Sequence, residues 1–208
     1  SSIESIDLEE PANKTIVSNK NAVLYNDAND YVHDVYRIDL ETSELTEYVA
    51  ENPISSLKLN ANGSKAVAVM KPEFGSGSYQ DANWGVAITD LGSNDIVNLV
   101  AESRPVGVEI IDSDEASYAL VLLSGLDYVL KLDLANPLNA EQIDLPAAPL
   151  SLGTMPDGRF LIAHDSKLGM VSTFDPSASS DSALNTISGF AAVGLLNNNK
   201  LPRRGEEN

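Results

Sequence analysis

Val35-Tyr36-Arg37-Ile38-Asp39-Leu40, Val86-Ala87-Ile88-Thr89-Asp90-Leu91, Val129-Leu130-Lys131-Leu132-Asp133-Leu134 and Val171-Ser172-Thr173-Phe174-Asp175-Pro176 are one pattern repeated four times. Each hexamer alternates with period two, the spacing of a strand, and runs through an aspartate into a polar, turn-forming stretch. The aspartates stand 51, 43 and 42 residues apart. Self-similarity at that interval is the signature of stacked sheets, one per repeat.

Working outward, each hexamer is preceded by a more continuous apolar run: Ala22-Val23-Leu24-Tyr25, Ala66-Val67-Ala68-Val69-Met70, Tyr118-Ala119-Leu120-Val121-Leu122-Leu123 and Phe160-Leu161-Ile162-Ala163. A strand covered on both faces by neighbouring sheets needs that composition. Asn62-Gly63 and Asp157-Gly158 precede two of these runs and suit tight turns between antiparallel strands. Further upstream, Pro11, Pro53, Pro105 and Pro149 mark the starts of the units, where a residue without an amide hydrogen costs no ladder bond. The reading is an all-β propeller of four full four-stranded blades.

Both ends extend past the four units. Ile6-Asp7-Leu8 matches Ile143-Asp144-Leu145, a fourth strand, and Ala191-Ala192-Val193-Gly194-Leu195-Leu196 reads as a first strand. Blades thus occupy residues 1–196, with starts near 11, 53, 105, 149 and 190, and 197–208 form a polar C-terminal tail. An unpaired strand at each end fits a segment of a larger six- to eight-bladed ring. The alternative is a compact five-bladed ring with a degenerate closing blade.

The chain has 208 residues, enough for a sizeable core, and 31 acidic against 13 basic side chains give a net charge of -18. A field of that sign repels phosphate backbones and anionic headgroups, so nucleic acid and direct membrane contact are disfavoured. No segment has the roughly 20 apolar residues of a membrane span. With no cysteine, disulfides and thiolate chemistry are excluded.

The fourth unit, Met155-Pro156-Asp157-Gly158-Arg159-Phe160-Leu161-Ile162-Ala163 followed by Gly169-Met170-Val171-Ser172-Thr173-Phe174-Asp175, resembles the YVTN-type and related WD-like β-propeller repeats of bacteria. The resemblance spans most of residues 11–190 and is sharpest there. It implies the fold and no single activity, because propellers host lactonases, other enzymes and many binding proteins.

Candidate sites are few. The second unit owes its extra length to the segment 71–84, which holds Phe74, Tyr79 and Trp84 among Gly and Ser. Long loops on a rigid scaffold carry binding, and these aromatics form the candidate contact surface. Asp27, Asn29 and Asp30, close to His33 and Asp34, offer oxygen ligands that make a weak calcium candidate; the spacing does not continue as an EF-hand loop, and the favoured reading is an Asx-rich turn whose side chains cap their own backbone. His164-Asp165 ends an apolar strand and reads as structural, a lone pair being short of a metal site's ligands. The repeated aspartates read as caps on the turns that follow them. Phosphate loops, zinc pairs and nucleophile elbows are absent.

The expected function is a non-catalytic binding or scaffold module without a cofactor. Its partner is a protein or the remaining blades of the same propeller, in a periplasmic, outer-membrane-associated or extracellular bacterial assembly. The alternative is a lactonase-like hydrolase with a metal or acidic site in the central channel.

Overall fold

The computed structural model describes residues 6–18, 20–72, 84–93, 95–112, 116–167, 169–178 and 183–189. They form four antiparallel four-stranded sheets in simple up-and-down order. Blade 1 contains β1 (Lys14–Ser18), β2 (Asn21–Tyr25), β3 (Asp34–Asp39) and β4 (Leu45–Val49). Blade 2 contains β5 (Ile54–Leu59), β6 (Lys65–Met70), β7 (Trp84–Asp90) and β8 (Ile96–Ala101). Blade 3 contains β9 (Pro105–Asp112), β10 (Ser117–Leu123), β11 (Tyr128–Asp133) and β12 (Glu141–Asp144). Blade 4 contains β13 (Pro149–Thr154), β14 (Phe160–His164), β15 (Met170–Phe174) and β16 (Leu184–Ser188). The repeat read from the sequence is therefore the blade.

First strands of successive blades touch in series, β1 to β5, β5 to β9 and β9 to β13, so they are the ones nearest the axis. Three apolar layers lie between the blades. The first joins Val23, Tyr25 and Tyr48 to Ala66, Ala68 and Met70, and the second joins Val67, Val69 and Ile88 to Ala119, Val121 and Leu132. The third sets Leu120, Leu122 and Val129 against Phe160, Ile162 and Phe174. Alternate residues of β6 and β10 thus face opposite neighbours, which is why these strands are apolar throughout. Full burial of one such side chain contributes roughly 1.5–3 kcal/mol, and the Phe160 and Phe174 rings stack with centroids 6.4 Å apart.

The repeated aspartates do what their position suggested. Asp39 accepts hydrogen bonds from the amides of Glu41 and Thr42 at 2.8 and 3.0 Å, and Asp90 from those of Gly92 and Ser93 at 2.8 and 3.2 Å. Asp133 takes the Ala135 amide at 2.9 Å and Asp175 the Ser177 amide at 2.9 Å. Each carboxylate occupies donors in the turn before the fourth strand. The Thr42 and Glu41 amides hold the Asp39 carboxyl below its ordinary range, as the Lys65 ammonium does for Asp90 and the Ser177 hydroxyl for Asp175.

A second repeated device, at the other end of the strands, ties each linker to the blade it enters. The residue after each second strand is tied to the carbonyl of the linker entering that blade. Lys71, Ser124 and Asp165 donate their amides to Pro53, Arg104 and Ala148 at 2.7, 2.8 and 2.8 Å. In blade 1 the Asn26 side-chain amide makes the equivalent bond to Pro11 at 2.7 Å. The preceding segment continues over blade 1, where the Glu10 amide donates to the Tyr36 hydroxyl at 2.8 Å. Residues 6–8, read from the sequence as a fourth strand, lie outside every described sheet, since an extended segment is a strand only where it has a partner. The first strand expected at 191–196 lies outside the described residues.

A feature that the sequence pattern hid is a repeated β-bulge. In β5, β9 and β13 one residue falls out of register just after the start: Ser55, Val106 and Leu150. β1 pairs without a shift. A bulge turns its side chain out of the pleat, and Val106 and Leu150 remain 46% and 62% exposed.

The turns at the opposite rim also lock blades together. Asn21 donates to the Gly63 carbonyl at 2.7 Å and Ser18 to that of Ala61 at 2.9 Å, while Asp112 accepts the Ala61 amide at 2.5 Å. Gly63 has φ +70°, and a Cβ there would stand 2.7 Å from the Ser18 carbonyl oxygen; Gly158 has φ +83° and open space around it. Gly158→Ala is therefore expected to cost about 1–2 kcal/mol, the left-handed backbone penalty alone. Gly63→Ala is expected to cost more, because the turn must also back away from blade 1. Urea unfolding of both variants checks this; equal losses would show that the turn is not closely docked.

Candidate functional site

The linker bonds gather the second-to-third-strand connections and the inter-blade linkers at one rim. Trp84 opens β7 rather than sitting within the long connection, and its indole packs on the apolar layer between blades 2 and 3. The Arg104 guanidinium lies over that ring, 5.3 Å from its centroid. In the same apolar layer the Tyr128 hydroxyl donates to Glu102 at 2.8 Å, and burial together with the Glu102 carboxylate pushes the phenol's pKa up. Arg104 is exposed, Trp84 is half-buried, and both are held by strand ends. A stacked Trp–Arg pair on a rigid frame is the composition of an interaction hot spot. Phe74 and Tyr79, the other two aromatics expected to line this surface, fall outside the described residues.

The oxygen-rich turn of blade 1 is brought together around an ammonium. Lys71 Nζ donates to the Asp30 carboxylate and to the Asp27 carbonyl, both at 2.7 Å. The Asp27 carboxylate accepts from Asn13 at 2.9 Å and pairs with Lys14 at 3.4 Å. Asn29 turns its oxygen to the Tyr31 amide at 3.0 Å, and Asn26 takes the amides of Ala28 and Asn29. These are Asx-turn bonds. The three candidate calcium ligands are thus engaged in this structure with two lysines, an asparagine and one backbone amide. Among the described residues, no three His, Asp or Glu side chains converge as a metal group.

His164 is buried in blade 4. Its Nδ1 lies 2.8 Å from the Ala147 carbonyl and its Nε2 2.7 Å from Ser172 Oγ, which in turn lies 2.7 Å from Thr186 Oγ1. A carbonyl only accepts, so Nδ1 carries the proton, Nε2 accepts from Ser172, and Ser172 accepts from Thr186. The chain ties β14, β15 and β16 to the linker from blade 3. A base beside a hydroxyl is also the beginning of nucleophilic chemistry, but Ser172 is 0% exposed and sealed against blade 3. The signal in the sequence was the serine at the register position that holds Tyr36, Ala87 and Leu130 in the other blades.

No known family model matches the chain, and no curated protein matches it. Solved structures do. The β-propeller domain of Myceliophteria thermophila Cps50 (Swd1) is similar over 85% of this chain and 57% of its own, at 14% identity and TM-score 0.55. A eukaryotic initiation factor is similar over 89% of this chain and 46% of its own, at 16% identity and TM-score 0.62. Streptogramin B lyase is similar over 84% and 53%, at 12% identity and TM-score 0.53. The chain spans about half the length of these structures. The likeness, together with the four sheets, defines the class as a β-propeller. Among the described residues no helix is long and apolar enough to cross a membrane.

Burial keeps the His164 ring neutral below its ordinary pKa of 6.5. Below about pH 6.5 the unfolded chain binds a proton that the folded one refuses, so stability drops as the pH is lowered through that window and levels off under the folded value. His164→Gln is expected to flatten this part of the profile, measured as urea midpoints from about pH 7.5 to about pH 5. An unchanged slope would mean that another group sets it.

Proposed function

We propose that this chain is a non-catalytic propeller scaffold that binds a protein partner through the rim carrying Trp84 and Arg104. The observation that carries the reading is that pair: a half-buried indole under an exposed guanidinium, fixed by β7 and by the linker into β9. Flat rigid anchors of this kind lose little freedom on binding, which is why Trp and Arg dominate hot spots. The only base–hydroxyl pair described above is sealed, and hydrolysis gains no support from it.

Two further elements belong to this proposal. The motif of blade 4 supports reading the repeats as YVTN-type, and the absence of cysteine accords with an envelope or extracellular bacterial assembly. The blade-1 segment that approaches like an inter-blade linker accords with further blades completing the ring.

The test is capture from an extract of the source organism, with bound proteins identified by mass spectrometry. A partner retained by the native chain is expected to be released by Trp84→Ala with Arg104→Ala, with a loss of at least about tenfold in affinity, as hot-spot truncations cost about 2 kcal/mol or more. Circular dichroism checks that the double variant keeps its sheets. A partner held equally by both proteins would place the binding surface elsewhere.

A further inference from the structure

We propose that this rim takes an acidic segment of the partner protein, one that sets a carboxylate on Arg104 and an apolar side chain on Val106 and Leu150. The inference rests on the protein-binding reading above and adds the chemistry of what is bound. Its first support is charge. Eight of the ten described lysines and arginines are in ion pairs, as expected where acids outnumber bases 31 to 13. Among the described residues, Arg104 and Lys167 face no carboxylate. Both are exposed, and both lie on the same rim, in the linker into blade 3 and in the second-to-third-strand connection of blade 4. In a chain with so many spare carboxylates, a cation left open is available to an external one.

The second support is the bulge. Val106 and Leu150 are the extra residues of β9 and β13, the two adjacent inner strands that follow Arg104 and the blade 3 to blade 4 linker. A valine and a leucine thrust out of the pleat at equivalent positions give the rim an apolar lip with no ladder role. Ser55, the equivalent residue of β5, is polar, so the lip is confined to blades 3 and 4. Arg104 and Val106 are separated by one proline in the chain, and both are exposed at the start of β9. The stacking of Arg104 on Trp84 holds the guanidinium without using its donors, and a guanidinium presents them as a fork suited to a carboxylate.

The net charge of -18 opposes an acidic partner at long range, but at physiological salt fields between exposed charges are screened within about 8 Å. At contact the nearest charges decide.

The probe is a fluorescein-labelled peptide alternating glutamate and leucine, compared with versions carrying glutamine or lysine in place of glutamate, by fluorescence anisotropy on the full chain. The glutamate peptide is expected to bind tightest, with Arg104→Glu and Leu150→Asp each weakening it at least tenfold and Arg104→Lys weakening it less. No binding, equal binding of the glutamine peptide, or insensitivity to Arg104→Glu would overturn the proposal. Tighter binding of the lysine peptide, lost in Trp84→Ala, would overturn the acidic partner and leave the protein-binding reading standing.

Discussion

Two-sided burial of the second strands is the constraint from which the rest of the architecture follows. β6 and β10 have no solvent face: alternate residues enter different apolar layers, one shared with the blade before and one with the blade after. A single four-stranded sheet of this composition would leave an apolar face in water, so no blade is stable alone. Once the blades must stack, their first strands converge on an axis and their turns fall at two rims. The polar groups are then distributed by position, with aspartate-capped turns at one end and linker bonds at the other.

Those rims differ in what they leave free. At the turn rim, carboxylates are spent on backbone amides and glycine lets one hairpin press against its neighbour. At the linker rim, the same backbone bond recurs in blades 2 to 4 and is replaced by an asparagine side chain in blade 1, which fixes the connections without using many side chains. The Trp84–Arg104 pair and the bulged Val106 and Leu150 stand on this fixed frame.

Much of the frame was legible because it repeats. Alternation placed the third strands, unbroken apolar runs placed the second, and the recurring aspartate at a strand end named its own role. What could not be read lies in pairing and reach. A bulge shifts register without changing composition, so Pro149-Leu150-Ser151 looks like ordinary strand. Arg104 and Trp84 meet only because blades 2 and 3 stack, and Lys71 reaches Asp30 only because blade 2 folds against blade 1. Ser172 did signal, as a small hydroxyl in an apolar register, but its partners His164 and Thr186 sit on two other strands.

The serial stacking of blades also shapes how the molecule comes apart. Among the described blades, 2 and 3 each share two apolar layers, while 1 and 4 each share one. In such a quasi-one-dimensional array free energy is roughly a sum over neighbour interfaces, so amides in β6 and β10 exchange with solvent only through openings that break two layers. Amides in β2 and β14 need one. The segment that bears Arg104 lies between the two doubly held blades, and so is seated on the part of the described array that opens last.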